Sequence, residues 1–281
     1  MFFISLWPYL NTIDPTASAT FFGIITAVFS LGQAISSPLF GFWMNKAKTI
    51  RPVLCFAFIL MLASNGVYAC TEFFPQHQRK YVMLVARFLT GFGAGDMAVI
   101  RAYSATASNI KDRARAVSLV TSAWVLGLVV GPGLQVIFEP FGYPGFKLFG
   151  LFHFDMYTAP AWFSALADLL SIILLWTIFV EEYAGILTDE EKNSNKSPSR
   201  KGEGRMRGYS FLWEGTMTGI LFMSGSIARI IGPILVSTLF EHYGPEATWG
   251  LQIGVISITI LLWIIFYSKI VPLETSPNLN P

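Results

Sequence analysis

Long apolar segments, separated by short polar loops, dominate the pattern of hydrophobic and polar positions along the chain. Most of them reach the roughly 20 residues that an α-helix needs to cross a bilayer. Within the hydrocarbon a segment must satisfy its own backbone hydrogen bonds, so only helices fit the pattern. It predicts an all-α polytopic membrane protein with about eight transmembrane helices, at residues 1–13, 20–44, 52–71, 81–103, 116–138, 157–180, 215–240 and 249–267.

The first of these segments, MFFISLWPYLNTID, is shorter than the others. Its apolar run of about 13 residues falls short of the length that spans a bilayer. A signal peptide is one alternative, but the segment has no basic n-region and no small-residue cleavage site. We therefore expect a helix without its first turns, in a chain whose start is truncated.

Composition supports a membrane protein and excludes several other classes. The 281 residues are 53% hydrophobic and 13% charged, whereas soluble domains carry about 25% charged residues. The net charge of +2 is too small to indicate nucleic-acid binding. The two cysteines and three histidines are scattered, without metal-ligand spacing. We expect no enzyme activity, no cofactor and no bound metal.

Basic residues concentrate in every second predicted loop. They are Lys46, Lys48 and Arg51, then Lys111, Arg113 and Arg115, then Lys192, Lys196, Arg200, Lys201, Arg205 and Arg207. The intervening loops contain only Arg79, Lys80 and Lys147 among several acidic residues. The positive-inside rule therefore places the basic loops, and both termini, in the cytosol.

The charged, Ser- and Gly-rich stretch 181–208 interrupts the apolar pattern. Its composition is typical of a flexible linker. We therefore predict three parts: residues 1–180 with six helices, a cytosolic linker at 181–208, and residues 209–281 with two helices.

Ionisable residues within predicted spans are costly to bury and often functional. At 100° per residue, Arg87, Gly91, Ala94, Ala98 and Arg101 fall on one face of the fourth predicted helix. This small, basic face is suited to line a cavity for an anionic substrate. Arg101, near the helix end, is alternatively a residue that snorkels to the interface.

Three further charges lie at membrane depth: Asp96, Asp168 and Arg229. Asp96 falls roughly opposite Arg87 around the helix and is expected to face another partner. Asp168 is a candidate for proton coupling, or for a structural ion pair with Arg87. The substrate-cavity candidates are therefore Arg87, Asp168, Arg229 and Arg101.

A Gly-Pro pair within an apolar segment occurs twice, as Gly131-Pro132 and Gly232-Pro233, in stretches that align at an offset of 101 residues. Small residues precede each pair at four-residue steps, a spacing that lets helix backbones approach closely. We assign these residues to helix packing: Gly91, Gly95, Gly127, Gly131, Pro132, Gly232 and Pro233.

Three motifs resemble those of the major facilitator superfamily of secondary transporters. The loop signature G-x-x-x-D-R/K appears as Gly41 through Asn45 and Lys46, followed by Lys48, with Asn45 in place of the usual Asp. The fourth-helix signature R-x-x-x-G-x-G begins at Arg87. The fifth-helix signature ends in Gly131-Pro132. The resemblance implies a cytosolic gating loop made by Gly41, Asn45, Lys46 and Lys48.

The family fold has twelve helices in two similar six-helix halves, and its fifth and eleventh helices correspond. Within the resemblance, the two Gly-Pro stretches are these helices, but 101 residues are too few for the five helices between them. We therefore expect a partial major facilitator fold that lacks helices seven to ten and part of helix one.

Four stretches resemble a lysosomal member of this family: WPYLNTIDPTAS, FSLGQAISSPLFGFW, YVMLVARFLTGFGAGDMAVIRAYSA and SGSIARIIGPILVS. This resemblance implies a lysosomal secondary transporter for a small, possibly anionic solute, or a chloride-type anion channel. The short second half predicts a truncated form with impaired transport. The alternative is a non-transporting subunit that associates with a full-length homologue.

Overall fold

The computed structural model describes residues 2–108, 112–148, 152–182 and 201–266. The helices of these ranges are α1 (Phe2–Ile13), α2 (Ala19–Ala47), α3 (Arg51–Ala69), α4 (Gln76–Gly93), α5 (Asp96–Ala107), α6 (Arg113–Phe138), α7 (Ala159–Thr177) and α8 (Lys201–Phe266). Short 3-10 turns follow α3 at Thr71–Phe73 and α6 at Glu139–Phe141. An antiparallel hairpin between α6 and α7 pairs β1 (Phe146–Leu148) with β2 (Phe152–Phe154).

The all-α architecture is confirmed, whereas the number of spans is not. Among the described residues, six helical segments are long and apolar enough to cross a membrane: Ala19–Ala47, Arg51–Ala69, Gln76–Ala107, Arg113–Phe141, Ala159–Thr177 and Gly215–Phe266. The predicted first span corresponds to α1, whose 12 residues extend about 18 Å, against about 30 Å of hydrocarbon.

The last two predicted spans, 215–240 and 249–267, belong to one helical element. Its 52-residue apolar part would be about 78 Å long as a straight helix, more than twice the hydrocarbon thickness. The backbone leaves helical geometry at Gly244, where φ is 76° and ψ is −175°. Glycine adopts this conformation without the clash of a Cβ, and Pro245 follows it directly. Gly244 therefore divides the element where the sequence pattern separates two spans.

The fourth predicted helix, 81–103, is observed as two helices. It begins earlier than predicted, at Gln76, and α4 ends at Gly93 before α5 begins at Asp96. At the break, the N–H of Ala94 donates to the carbonyl of Thr90 at 2.9 Å, and the N–H of Gly95 donates to that of Phe92 at 3.3 Å. The second of these bonds spans only three residues, so the chain tightens here between the two helices.

Two buried clusters mark the ends of the bundle. We call the end with the β-hairpin the hairpin end, and its core contains Leu6, Tyr9, Ile13, Tyr68 and Met83. We call the opposite end, which carries Lys46, Lys48 and Arg51, the basic end. Its core contains Met44, Val53, Ala57, Val99 and Leu175.

Helix α2 lies at the centre of the packing, and it contacts α4 through backbone atoms. A Cβ at Gly91 would collide with the carbonyl group of Phe29 on α2. In return, a Cβ at Gly32 would lie 2.7 Å from the backbone nitrogen of Phe92 on α4. The two helices therefore cross at a point where neither can carry a side chain.

The opposite side of α2 contacts α8 in the same way. A Cβ at Gly219 would lie 2.5 Å from the carbonyl oxygen of Ser37, and one at Gly41 would collide with the backbone of Gly215. Near the hairpin end, Gly23 lies against the side chain of Ser237. Dispersion attraction needs such close approach, and no hydrophobic force drives helices together within lipid.

Helix α6, in contrast, has little contact with the rest of the described chain. Gly131 is its only buried residue, and Leu126, Val129 and Ile137 are each more than 60% exposed. The part of α8 beyond Gly244 is similarly exposed, as at Trp249. The described residues leave these two surfaces uncovered.

We predict that Gly91→Ala destabilises the protein, because the added methyl group meets the backbone of Phe29 and forces α2 and α4 apart. Overpacking of this kind typically costs about 1–3 kcal/mol. Thermal unfolding in detergent would measure the loss. Gly127→Ala is the matched control, since a Cβ at Gly127 meets nothing within 4 Å. Equal unfolding temperatures for the two variants would contradict the prediction.

Candidate functional site between α2, α5 and α8

Hydrogen bonds close both ends of the contact between α2 and α8. At the hairpin end, the backbone N–H and the hydroxyl of Thr20 donate to Oε2 of Glu241, at 2.8 and 2.6 Å. At the basic end, Nδ2 of Asn45 donates to Oγ1 of Thr216 at 2.7 Å. The two helices are therefore fastened at both ends of their contact.

A chain of polar groups crosses the middle of the same contact. Nε2 of Gln33 donates to the carbonyl of Ala94 at 3.1 Å, at the break between α4 and α5. Oε1 of Gln33 lies 3.3 Å from the hydroxyl of Ser226 on α8, and Nη2 of Arg229 lies 3.4 Å from that hydroxyl. Gln33 and Ser226 are buried, while Arg229 is exposed. These hydrogen-bonded groups therefore link the buried interior to the accessible guanidinium of Arg229.

Arg101 connects three helices through aromatic contacts. Its guanidinium carbon lies 4.8 Å from the ring centroid of Phe222 on α8 and 5.9 Å from that of Trp124 on α6. Such contacts hold a cation over the negative face of a ring. Arg101 does not simply snorkel into solvent, because two rings fix the position of its head group.

Phe222, Ser226 and Arg229 lie on one face of α8, since their spacing of four and three residues matches the helical repeat. Together with Arg101 they form what we call the arginine face. In the described ranges, neither Arg101 nor Arg229 makes a salt bridge. Two positive charges that no carboxylate of the described ranges neutralises make this face a candidate anion-binding surface.

Arg87 lies outside the arginine face. It is 4% exposed, and its guanidinium carbon lies 4.8 Å from the ring centroid of Phe29 on α2. The predicted basic face from Arg87 to Arg101 is therefore divided: its first part packs on α2, and Arg101 meets α6 and α8. The break between α4 and α5 lies between these two parts. A substrate role for Arg87 stays a prediction.

Asp168 lies on α7, away from the arginine face. Its Oδ2 accepts a hydrogen bond of 2.8 Å from Nδ2 of the buried Asn65 on α3. This amide is the hydrogen-bond partner that the structure gives for Asp168, and an ion pair with Arg87 stays a prediction. Asp96 is buried at the first turn of α5. Proton coupling by Asp168 stays a prediction.

The predicted gating segment belongs mostly to α2. Gly41 and Asn45 are buried in its last turns, against Gly215 and Thr216 of α8. Lys46 and Lys48 are exposed, and Lys48 caps the helix with a φ of 57°. The amide of Asn45 can donate this bond, which an ionised Asp could not. A gating role for these residues stays a prediction.

The residues assigned to helix packing fall into two groups. Gly91 and Gly95 contact α2, where a Cβ at Gly95 would meet the side chain of Ser36. A Cβ at Gly127 or Gly232 would meet nothing within 4 Å. Gly131 is buried, and Pro132 and Pro233 lie within α6 and α8 without ending them. Among the described residues, close approach of another helix is therefore seen at Gly91 and Gly95, and not at Gly127 or Gly232.

Comparison with known proteins agrees with this geometry. The family model described as Major Facilitator Superfamily matches residues 1–217. The chain belongs to this superfamily. It is therefore a multi-pass membrane protein, as the apolar pattern predicts.

The relatives of this major facilitator chain are longer than the chain itself. It is 34% identical, over 245 residues, to major facilitator superfamily domain-containing protein 8 of Xenopus laevis. The aligned part makes up 87% of this chain and 46% of that protein. The chain is 33% identical to an SPX domain-containing membrane protein of Oryza sativa subsp. indica, over 59% of this chain and 22% of that protein. The chain thus spans less than half the length of these relatives.

A solved structure shares the fold. The crystal structure of the human organic anion transporter MFSD10 (TETRAN) superposes with a TM-score of 0.54 at 15% sequence identity. The match covers 91% of this chain and 88% of that one. This likeness supports the major facilitator fold of the chain.

Four contributors to the site were not predicted from the sequence: Gln33, Trp124, Phe222 and Ser226. The spacing of Phe222, Ser226 and Arg229 was the one available signal, because it places an aromatic, a hydroxyl and a cation on one helix face. Gln33 carried no such signal. Its importance follows from the contact of α2 with both the α4–α5 break and α8.

We predict that the bond between Asn45 and Thr216 contributes to stability. In a double-mutant cycle with Asn45→Ala and Thr216→Val, the coupling free energy should be about 0.5–1.5 kcal/mol, the usual net value of one hydrogen bond. Thermal unfolding in detergent gives the four values required. A cycle that pairs Asn45→Ala with the distant Thr177→Val is the control. Additive effects in the first cycle would contradict the prediction.

Proposed function

We propose that this chain belongs to a lysosomal secondary transporter for a small anionic solute, and that the arginine face contacts the solute. The observation that carries the proposal is the pair Arg101 and Arg229, two guanidiniums without a salt bridge among the described residues. Gln33 and Ser226 add neutral hydrogen-bonding groups beside them. An anion bound there would receive charge-assisted hydrogen bonds, which are about twice as strong as neutral ones.

The proposed topology follows the distribution of basic residues. The basic end and both termini lie in the cytosol, and the hairpin end lies in the lysosomal lumen. Residues 1–180 act as the six-helix half, 181–208 as a cytosolic linker, most of which lies outside the described residues, and 209–281 as the remnant of the second half. The 34% identity to major facilitator superfamily domain-containing protein 8 supports the lysosomal assignment.

The proposed transport activity of this chain alone is low. Alternating access requires two halves that rock about a central site. Here α2 contacts α8 along a seam closed at both ends, while α6 lacks a neighbour on most of its surface. The chain therefore retains groups for anion binding, yet has only part of the surface against which the first half would move.

We predict that Arg229→Gln weakens anion binding about tenfold or more, because it removes a charged donor worth about 1.5–3 kcal/mol. Binding of radiolabelled chloride and of a small labelled carboxylate to the purified chain measures the effect. Lys48→Gln is the matched control: it removes one exposed positive charge at the basic end. Equal losses in both variants, or none in Arg229→Gln, would contradict the proposed site.

A flux measurement tests the proposed impairment. Proteoliposomes that contain this chain alone should accumulate labelled anion far more slowly than those with a full-length relative, because the second half is incomplete. Saturable flux at the rate of the full-length protein would refute impairment. Discrete single-channel currents would instead support the alternative of a chloride-type channel.

A non-transporting membrane subunit is the second candidate, favoured by the exposure of α6. In this role α6 packs against a full-length homologue. Copurification of the tagged chain with that homologue, weakened by Val129→Lys on the exposed face, would support it. Val129→Leu is the matched control, because it keeps the face apolar. Solely monomeric chain in detergent, in the presence of the homologue, would exclude it.

A further inference from the structure

A buried cluster at the hairpin end takes no part in the arginine face. Asp155 is fully buried, and its Oδ1 accepts hydrogen bonds from the backbone N–H groups of Tyr157 and Thr158, at 2.7 and 2.8 Å. The other carboxylate oxygen, Oδ2, has no hydrogen-bond partner among the described residues. A buried carboxylate with one oxygen unsatisfied carries a large desolvation cost, which a bound cation would offset.

A second buried oxygen in this cluster also lacks a partner. Tyr9 is fully buried, and its hydroxyl makes no hydrogen bond within the described part of the chain. Its ring stacks on that of Tyr157 with the centroids 5.1 Å apart, and Tyr157 is the residue whose N–H binds Asp155. The two unsatisfied oxygen atoms therefore belong to side chains joined through one residue.

Two further tyrosine rings pack against Tyr9 and Tyr157. The ring centroid of Tyr68 lies 5.6 Å from that of Tyr9, and the centroid of Tyr143 lies 6.0 Å from that of Tyr157. We call these four residues the tyrosine cage. The faces of aromatic rings attract cations, most strongly where water is excluded. The aromatic rings therefore attract a cation, as the carboxylate of Asp155 does.

Three basic residues lie near the cluster. The buried Arg87 stacks on the ring of Phe29, and its charge reaches Tyr68. Lys80 forms a salt bridge of 3.0 Å with Asp14, and Arg79 donates to the carbonyls of Glu72 and Phe74. Asp155 makes no salt bridge within the described ranges.

Tyr143 lies at an edge of the cluster where several charges act on its hydroxyl. Burial raises the pKa of this tyrosine, and the carboxylates of Glu72 and Asp155 raise it further. Arg79 opposes this effect in part. Carboxylates and a guanidinium therefore both act at this edge of the cluster.

The charge of the cluster selects the class of ion. Asp155 is fully buried, whereas Glu72 is only partly buried and has the side chain of Arg79 beside its carbonyl. The one fully buried carboxylate of the cluster balances one positive charge, whereas Ca²⁺ and Mg²⁺ favour several oxygen ligands with more negative charge. The described residues include no group of three or more His, Cys, Asp or Glu side chains with metal-binding geometry. We propose that the tyrosine cage binds one monovalent metal cation, with Oδ2 of Asp155 and the hydroxyl of Tyr9 as ligands.

Such an ion would hold together parts of the fold that are distant in sequence. Tyr9 lies on α1, Tyr68 near the end of α3, and Asp155 before α7. Binding would stabilise the folded state according to the ratio of free ion to its dissociation constant. Because the cage and the arginine face use different residues, either proposal can fail while the other holds.

The test measures thermal unfolding of the purified chain in detergent while sodium or potassium replaces N-methylglucamine at constant ionic strength and pH. The unfolding temperature should rise with metal ion concentration and then saturate. Asp155→Asn should abolish the rise, because it removes the charge while its amide oxygen still accepts the two backbone hydrogen bonds. Tyr9→Phe, which removes only one hydroxyl, should weaken the apparent affinity about tenfold.

Asp14→Asn is the matched control, since Asp14 is a carboxylate at the same end that has Lys80 as its partner. It should leave the response to the metal ion unchanged. An unfolding temperature independent of sodium and potassium would overturn the proposal and leave water in the cage. A response that survives both Asp155→Asn and Tyr9→Phe, or that follows pH alone, would overturn it as well.

Discussion

The structure depends on the close approach of backbones along α2. Lipid does not drive apolar helices together, so their association relies on packing and hydrogen bonds. At the crossing of α2 with α4, Gly32 and Gly91 leave no space for a side chain, and Gly41 and Gly215 do the same for the contact with α8. Because α2 contacts both helices, it sets the distance between α4 and α8.

This central position explains why the candidate site lies where it does. Gln33 on α2 contacts the break between α4 and α5 on one side and Ser226 of α8 on the other. The break turns Arg101 toward Trp124 and Phe222, while Arg87 remains buried against Phe29. The arginines of one sequence segment thus have different surroundings: Arg87 packs on α2, and Arg101 contacts α6 and α8.

The hairpin end combines buried charge with aromatic packing. One carboxylate oxygen of Asp155 accepts hydrogen bonds from two backbone N–H groups just before α7. The other oxygen has no partner among the described residues. The basic end is held by a neutral bond between Asn45 and Thr216. The proposed metal cation therefore lies beside a buried carboxylate. The proposed anion lies beside the guanidiniums of the arginine face.

The sequence by itself determined the helical architecture, because apolar length and the need for internal backbone hydrogen bonds leave no other solution in a membrane. Its motifs also indicated the superfamily, which the family model confirmed. Only the tertiary structure decided that α4 and α5 are separate, that Asp168 binds Asn65, and that Gln33 and Phe222 join the arginines. These outcomes depend on distances between helices far apart in the chain, which periodicity along a single helix does not encode.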